Sequence, residues 1–363
     1  MSLRRIARGL NISVTTASRA LGGFSDVSAE TRKKVRAEAE RIGYRPNPAA
    51  RRLRGGTSDA VGVVLPTGPG QLDDAFFLRL LGAIGPRLAA AGLDLIVGTA
   101  RAGEEERAFY RQLVENRRVD AVILARTRRQ DPRIGYLLDA GMPFVAHGRS
   151  EEPRAYAQVD VDGAAAFRLA TERLIEGGHR RIGLLGAPRY YSFAHHRAQG
   201  FEAALAEAGL APGPVAEAEP TEENGFRLLQ AMLAAGEAPT ALLCATDRLA
   251  VGALRAAALA GLRVGRDLAV IGYDNLPVAT YTDPPLTTFD PEVERSALRM
   301  VEMLLALLRG ESPQGMAELR QARLIVRASD GPAAGRKPQT TSIDRQQGRH
   351  SPEETPHEGS AIP

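Results

Sequence analysis

Apolar residues near the start of the chain recur at the spacing of one helical face. Leu3, Ile6, Ala7 and Leu10 stand at i, i+3, i+4 and i+7, which predicts a first helix that Ser2 can cap. Two more amphipathic stretches follow, with expected inward positions Ala17, Ala20, Leu21, Val35, Ala39 and Ile42. Three short helices this close together form one small unit.

The ends of these helices also carry sequence signals. Ser13 and Ser28 stand where a hydroxyl caps the second and third helices, and Gly22-Gly23 ends the second. Asn11 tolerates the positive φ that a tight turn between two helices needs. The pattern predicts a helix-turn-helix whose second helix exposes small polar side chains and an arginine, namely Val14, Thr15, Ser18 and Arg19.

From Ala60 onward the pattern changes to apolar runs that alternate with Ala/Leu-rich helical stretches. The runs predicted as strands are 61–65, 93–97, 121–124, 143–146, 181–185, 241–245 and 268–272. Glycines end the helical stretches, at Gly92, Gly141, Gly178, Gly209, Gly236 and Gly261. This alternation predicts α/β architecture with parallel sheets covered by helices, and the length suffices for two doubly wound subdomains.

Residues that follow the strands form a candidate binding site, because ligands of open α/β sheets lie beyond the carboxyl ends of the strands. The candidates combine charged groups for hydroxyls with aromatic faces for C–H surfaces, which favours a sugar-like ligand. They are Asp74, Phe76, His147, Arg149, Tyr191, Phe193, Arg197, Asp247 and Asp274. They contain no recognisable set of nucleophile, base and orienting group.

Charge is distributed unevenly along the chain. Residues 1–56 hold 13 Lys+Arg against 4 Asp+Glu, a net charge of +9. The whole chain holds 47 against 43, which leaves 34 against 39, or −5, for residues 57–363. A basic head on a slightly acidic body favours DNA as the partner of the head.

Four blocks of the head resemble the lactose-repressor/galactose-repressor (LacI/GalR) family of bacterial transcription regulators. The order and spacing match at Ile6-Ala7 and at residues 12–21, 27–32 and 43–47. Further blocks of the body, at residues 197–201, 247–252, 271–275 and 285–288, extend the resemblance to about residue 328. Residues 143–149 are similar to a branch that responds to α-glucosides such as maltose or trehalose.

The resemblance implies roles for residues of the head. Val14 and Thr15 would face base edges, Arg19 would enter the major groove, and Thr16, Ser18 and Arg45 would contact phosphates. A hinge helix at residues 47–54 would press Leu53 into the minor groove when it pairs with its dimer partner. The full set expected at DNA is Val14, Thr15, Thr16, Ser18, Arg19, Tyr44, Arg45, Asn47, Ala50 and Leu53.

The resemblance also implies a domain organisation. We expect a helix-turn-helix domain at 1–46, a hinge at 47–57, a periplasmic-binding-protein-like core at 58–329 and a disordered tail at 330–363. The core would divide into subdomains of residues 58–157 plus 288–317 and residues 158–287 plus 318–329. Arg197, Asp247 and Asp274 would contact a sugar effector, and a homodimer would bind a pseudopalindromic operator, with assembly into tetramers left open.

Other classes lack their signals. No apolar stretch approaches the roughly 20 residues of a membrane span, and no signal peptide precedes the head, so we expect a cytoplasmic, nucleoid-associated protein. Cys244 is the single cysteine, and His195-His196 lacks a companion cluster with metal-ligand spacing. No Gly-x-Gly-x-x-Gly follows a strand, so we expect neither a cofactor nor an enzyme.

Three alternatives to a sugar-responsive repressor remain open at this point. Control by a protein corepressor would retain the DNA head and use the cleft little. A sugar-binding protein without DNA function would need an export signal where this chain has a basic head. An α/β enzyme would need a catalytic set, and the sequence offers none.

Overall fold

The computed structural model describes residues 3–22, 24, 26–44, 57–68 and 74–333. Predictions for Ser2, Gly23, the hinge at 47–54 and the tail from 334 onward lie outside these residues, as do those for Arg45, Asn47, Ala50 and Leu53. Within the described residues the chain forms a helical head followed by two α/β subdomains.

Three helices form the head: α1 (Leu3–Gly9), α2 (Val14–Leu21) and α3 (Ala29–Arg41). Their predicted inward positions form one apolar core with Val27, in which Ile6, Ala17 and Val35 are completely buried. The predicted caps are confirmed, because Ser13 accepts a hydrogen bond from Thr16 N and Ser28 accepts one from Thr31 N. Asn11 has the expected positive φ, 52°.

The first subdomain contains a six-stranded parallel sheet in the order β11-β5-β4-β3-β1-β2. Its strands are β1 (Ala60–Pro66), β2 (Asp94–Ala100), β3 (Ala121–Leu124), β4 (Phe144–His147), β5 (Ala157–Val161) and β11 (Ala317–Arg320). Its helices are α4 (Ala75–Ala90), α5 (Glu104–Glu115), α6 (Pro132–Asp139) and α12 (Val293–Leu308). Helices α4 and α12 cover one face of the sheet, and α5 and α6 cover the other.

The second subdomain contains a four-stranded parallel sheet in the order β7-β6-β8-β9. Its strands are β6 (Ile182–Gly186), β7 (Val215–Glu217), β8 (Ala241–Cys244) and β9 (Ala269–Ile271). Its helices are α7 (Gly163–Glu176), α8 (Ser192–Glu207), α9 (Glu222–Ala234), α10 (Asp247–Leu259) and the short α11 (Val278–Tyr281). Helices α7 and α8 pack on one face of the sheet, and α9 and α10 on the other.

Close helix packing in the second subdomain depends on glycine. A Cβ at Gly200 of α8 would lie 2.0 Å from Ala164 O of α7, and one at Gly252 of α10 would lie 1.9 Å from Glu222 O of α9. Backbone atoms cannot move aside as a side chain can, so these positions accept no larger residue without separating the helices. The six glycines predicted to end helices all have φ between 61° and 94°.

The chain passes between the subdomains after β5, at residues 290–293 and after β11. At the second and third passages β10 (Thr288–Asp290) and β12 (Arg323–Ile325) pair as a two-stranded antiparallel sheet. The crossings expected near residues 157, 287 and 318 lie within a few residues of these passages. The predicted strands were continuous apolar runs, so the alternating β5 and the short β7, β10, β11 and β12, each of which contains a polar residue, were not predicted.

Candidate functional site

The second helix of the head presents the residues that the sequence suggested for DNA contact. Val14 and Thr15 are exposed at its start, whereas Thr16 and Ser18 are half-buried. Ser13 Oγ accepts from Thr16 N at 2.9 Å and lies 2.8 Å from Thr16 Oγ1, which fixes the first turn.

Arg19 is held by its own domain. Its Nε donates to Asp26 Oδ2 at 2.7 Å, and its guanidinium lies 4.5 Å from the centre of the Phe24 ring. The hydrogen bond from Arg19 keeps the pKa of Asp26 below its usual value. Both side chains are about half exposed, so the pair fixes the direction of Arg19 while leaving it at the surface. Tyr44 is half-buried and packs against the core of the head.

A cleft lies between the two subdomains. It meets the carboxyl ends of the strands, as expected for open α/β sheets. From the first subdomain it is lined by Asp74, Phe76, Phe77, Arg126, Thr127, His147, Gly148, Asp160, Val161 and Pro291. From the second it is lined by Gly163, Phe193, His196, Arg197, Pro220, Thr246, Tyr273 and Asp274.

Asp74 and Arg126 form an ion pair in the first wall of the cleft. Asp74 Oδ1 caps α4 by accepting from Phe76 N at 3.0 Å, and Asp74 Oδ2 accepts from Arg126 Nη2 at 2.5 Å. The Arg126 backbone has a φ of 52°, which is uncommon for residues other than glycine. Its guanidinium also faces the rings of Phe77 and Tyr191, at 5.0 and 5.6 Å.

Arg197 occupies the opposite wall, on α8. Its guanidinium lies 3.5 Å from the centre of the Tyr273 ring and 4.8 Å from that of Phe193. Its Nη1 donates to the carbonyl of Ala245. The residue is buried, and its Nε has no hydrogen-bond partner in the described part of the chain. Aromatic faces thus hold the Arg197 charge in place beside the cleft.

Withdrawal from water changes the ionisation of two further groups of the cleft. It lowers the pKa of His147 to about 4, helped by the Arg197 charge, so the imidazole is neutral near pH 7. Burial raises the pKa of Asp274 well above its ordinary value, although Arg197 opposes this effect. Asp274 has a φ of 115°, and its carbonyl accepts from Arg79 Nη1 of α4 at 2.9 Å.

The structure corrects the direct contact predicted for Asp247. This residue is completely buried and lies outside the lining of the cleft. Its Oδ1 accepts from Thr288 Oγ1 at 2.6 Å and its Oδ2 from Leu276 N at 2.8 Å, and burial raises its pKa to about 7. Asp247 therefore supports the segment that carries Asp274, because it ties the start of α10 to that segment.

Arg149 and Tyr191 likewise lie one layer behind the lining residues. Arg149 Nε donates to His196 Nε2 at 2.8 Å and lies 3.4 Å from Asp160 Oδ2. Tyr191 stacks on Phe193 with ring centres 5.6 Å apart. The remaining predicted effector residues, Asp74, Phe76, His147, Phe193, Arg197 and Asp274, all line the cleft.

Sequence reasoning missed several lining residues, of which Arg126, Asp160 and Tyr273 carry the most chemistry. Each follows or ends a strand, as the rule for open sheets requires, and Arg126 and Tyr273 lie within two residues of the β3 and β9 ends. A systematic inspection of strand ends would therefore have found them. Asp160 would have needed the recognition of β5.

Two further observations bear on the class of protein. No group of three or more His, Cys, Asp or Glu side chains in the described residues is arranged to hold a metal ion. None of the helices in that part of the chain is long and apolar enough to cross a membrane.

Comparisons with known proteins identify relatives over both parts of the chain. Residues 2–47 match the family of bacterial regulatory proteins, lacI family, and residues 171–329 match the periplasmic binding protein-like domain. The HTH-type transcriptional regulator AglR of Rhizobium meliloti (strain 1021) is 38% identical over 344 residues, which cover 93% of this chain and 96% of AglR.

Solved structures agree with this relationship. A complex of the transcriptional regulator CelR with cellobiose is 30% identical and has a TM-score of 0.70, with 91% of this chain and 99% of that chain covered. The lac repressor dimer bound to operator and the anti-inducer ONPF is 28% identical and has a TM-score of 0.77, with 91% and 98% covered.

Proposed function

Because this chain belongs to the lacI family of bacterial regulatory proteins, we propose that it is a transcriptional repressor whose operator affinity is controlled by a sugar bound in the cleft. One observation supports a sugar as the ligand. Arg126 Nη1, His147 Nε2 and Arg197 Nε are buried without a partner among the described residues, beside the faces of Phe76 and Phe193. Each such group costs about 1–3 kcal/mol, which hydroxyl groups of a ligand would offset.

For the class of sugar we propose an α-glucoside. The sequence of residues 143–149, which includes His147 and Arg149, supports this choice. The bound cellobiose in the CelR complex supports a disaccharide-sized ligand in a cleft of this fold.

On the DNA side we assign α2 to the major groove. Val14 and Thr15 would face base edges, and Arg19, oriented by Asp26, would donate its terminal nitrogens to a guanine. Thr16 would contact phosphate, as would Ser18 and Arg45, and Tyr44 of the head would also lie at the DNA. Asn47, Ala50 and Leu53 would act at the hinge. Two copies on a pseudopalindromic operator complete the assembly.

The domain division at 1–46, 47–57 and 58–329 and a cytoplasmic location form part of the same proposal. A sugar acts on DNA binding only through unequal affinity for the two arrangements of the core. The hinge transmits that difference, because a helix of about eight residues needs a packing partner to form.

The test combines two measurements on the full chain. A thermal-shift panel of mono- and disaccharides identifies the ligand, since a sugar at 100 times its Kd adds about 2.7 kcal/mol of stability. Fluorescence anisotropy with labelled operator from the upstream region of the chain's own gene then measures release. We expect maltose or trehalose to stabilise the protein and to lower operator affinity. Operator binding that no sugar alters would refute sugar control.

A further inference from the structure

Arg126 is one of the lining residues that no motif of the sequence marked. Its side chain is 10% exposed, and its surroundings fix it on three sides: Asp74 at Nη2, Phe77 over one part of the guanidinium and Tyr191 over another. Its Nη1 is buried and has no hydrogen-bond partner within the described chain. Arg126 thus lines the cleft and carries, at Nη1, a hydrogen-bond donor without a partner among the described residues.

Two ion pairs balance charges around the cleft. Arg126 pairs with Asp74, and Arg149 lies 3.4 Å from Asp160. The lysines of the chain are Lys33, Lys34 and Lys337, so none belongs to the two subdomains. An added phosphate group would introduce negative charge beside Asp74 and Asp160, whose arginine partners already take part in these ion pairs.

Three helix N-termini beside this cleft, which are common anion sites, are capped by the chain's own side chains, whereas the start of α8 has no side-chain cap. Asp74 Oδ1 accepts from Phe76 N at the start of α4, and Asp162 Oδ1 accepts from Ala165 N at the start of α7. Thr246 Oγ1 accepts from Leu249 N at the start of α10. At these three helix starts the chain's own oxygens hold the positions that a phosphate would take.

Resting on the proposed sugar effector, we propose that Arg126 is a specificity-determining residue of the cleft. Its Nη1–H donates to a hydroxyl or ring oxygen of an uncharged sugar, and the charge-matched walls reject the phosphorylated form of the same sugar. Asp74 is essential to this selectivity. It neutralises the Arg126 guanidinium and occupies the edge of that group that would otherwise form a bidentate contact with a phosphate.

The first arm of the test compares sugars by isothermal titration calorimetry on the full chain. The probes are maltose with maltose 6′-phosphate, trehalose with trehalose 6-phosphate, and glucose with glucose 6-phosphate. We expect the unphosphorylated member of the bound pair to bind roughly 100-fold more tightly. Equal or tighter binding of the phosphate overturns this inference and leaves a sugar effector standing. If no sugar of any of the three pairs binds, both this inference and the proposed sugar effector are overturned.

The second arm compares variants of one loop. Arg126→Met should weaken binding of the unphosphorylated sugar by about tenfold or more. Arg126→Lys keeps a charge for Asp74 and so protects folding, but its ammonium lacks the second donor direction, and it should lose similar affinity at an unchanged thermal midpoint. Arg129→Met is the matched control, because Arg129 pairs with Glu151 at the surface.

Operator affinity without sugar should be the same in Arg129→Met as in the wild type. If Arg126→Lys and Arg126→Met bind the sugar as tightly as Arg129→Met does, Arg126 does not determine specificity.

Discussion

The two walls of the cleft hold their arginines by different means. In the first wall Arg126 pairs with Asp74, and a buried ionic cluster of Glu106, Asp131 and Arg133 lies behind it. In the second wall Arg197 lies on aromatic rings. Ion pairs thus balance the arginine charges of the first wall, whereas in the second wall the Arg197 charge is buried against aromatic rings.

The ionic cluster also determines how firmly the first wall is held. Arg133 Nη2 donates to the carbonyl of Arg126 at 3.0 Å, so the ionic cluster fixes the loop that carries Arg126. Among the described residues, unpartnered polar atoms occur in both walls, at Arg126 Nη1 and His147 Nε2 in the first and at Arg197 Nε in the second. Both walls should therefore gain from the hydroxyl groups of a ligand, and the first wall is the one whose loop the ionic cluster holds in place.

Arg133→Met should have the largest effect on stability. Arg133 is 4% exposed at its side chain and bonds to both Glu106 and Asp131, so its loss leaves buried carboxylates with reduced compensation. We expect the free energy of unfolding to fall by about 3–5 kcal/mol, measured by urea denaturation. In Arg129→Met, which breaks a surface pair, the loss should stay below about 1 kcal/mol. Similar values for the two variants would show that the ionic cluster is not what stabilises the first wall.

Arg197→Ala should act on the effector response and spare operator binding. The variant removes a cation that lies between the cleft and the rings of Tyr273 and Phe193. We expect sugar affinity to fall by about 2 kcal/mol or more, and operator affinity without sugar to remain at the wild-type value. Arg189→Ala provides a control, because Arg189 pairs with Glu202 and Glu217 outside the cleft lining. An unchanged sugar response in Arg197→Ala would remove this residue from the site.

Asp247→Asn should change how stability depends on pH. Burial raises the pKa of Asp247 to about 7 from an ordinary value of 3.8, so the folded protein retains a proton that the unfolded chain releases. This contribution is fully present below about pH 4 and is lost as the pH rises to about 7, at no more than roughly 1.4 kcal/mol per pH unit.

The asparagine variant keeps an acceptor for Leu276 N and gains a donor toward Thr288, as the protonated acid has. Its stability should therefore decline less between pH 5 and pH 7 than that of the wild type, as measured by thermal unfolding at a series of pH values. Parallel pH profiles of the two proteins would show that Asp247 does not carry this dependence.

Local signals along the chain were sufficient for the head and for most strands. Ser13 and Ser28 cap the helices that they precede, and the seven apolar runs predicted as strands overlap β1, β2, β3, β4, β6, β8 and β9. Caps and helical or strand periodicity depend on neighbours only a few residues away, so they can be recognised in one sequence. The strands β10 and β12 have only three residues each, too few to show such periodicity. They pair with each other although they are far apart in the sequence, so neighbouring residues do not reveal them.

The cleft shows the boundary between sequence and tertiary structure most clearly. The sequence by itself determined that charged and aromatic residues follow the strands, and thus supplied Asp74, His147 and Arg197. Only the tertiary structure decided that Arg126 faces the cleft and that Asp247 is buried beneath it. The physical reason is that exposure and charge pairing depend on residues far apart in sequence, such as Asp74 with Arg126 and Asp247 with Thr288, which meet only when the strands align.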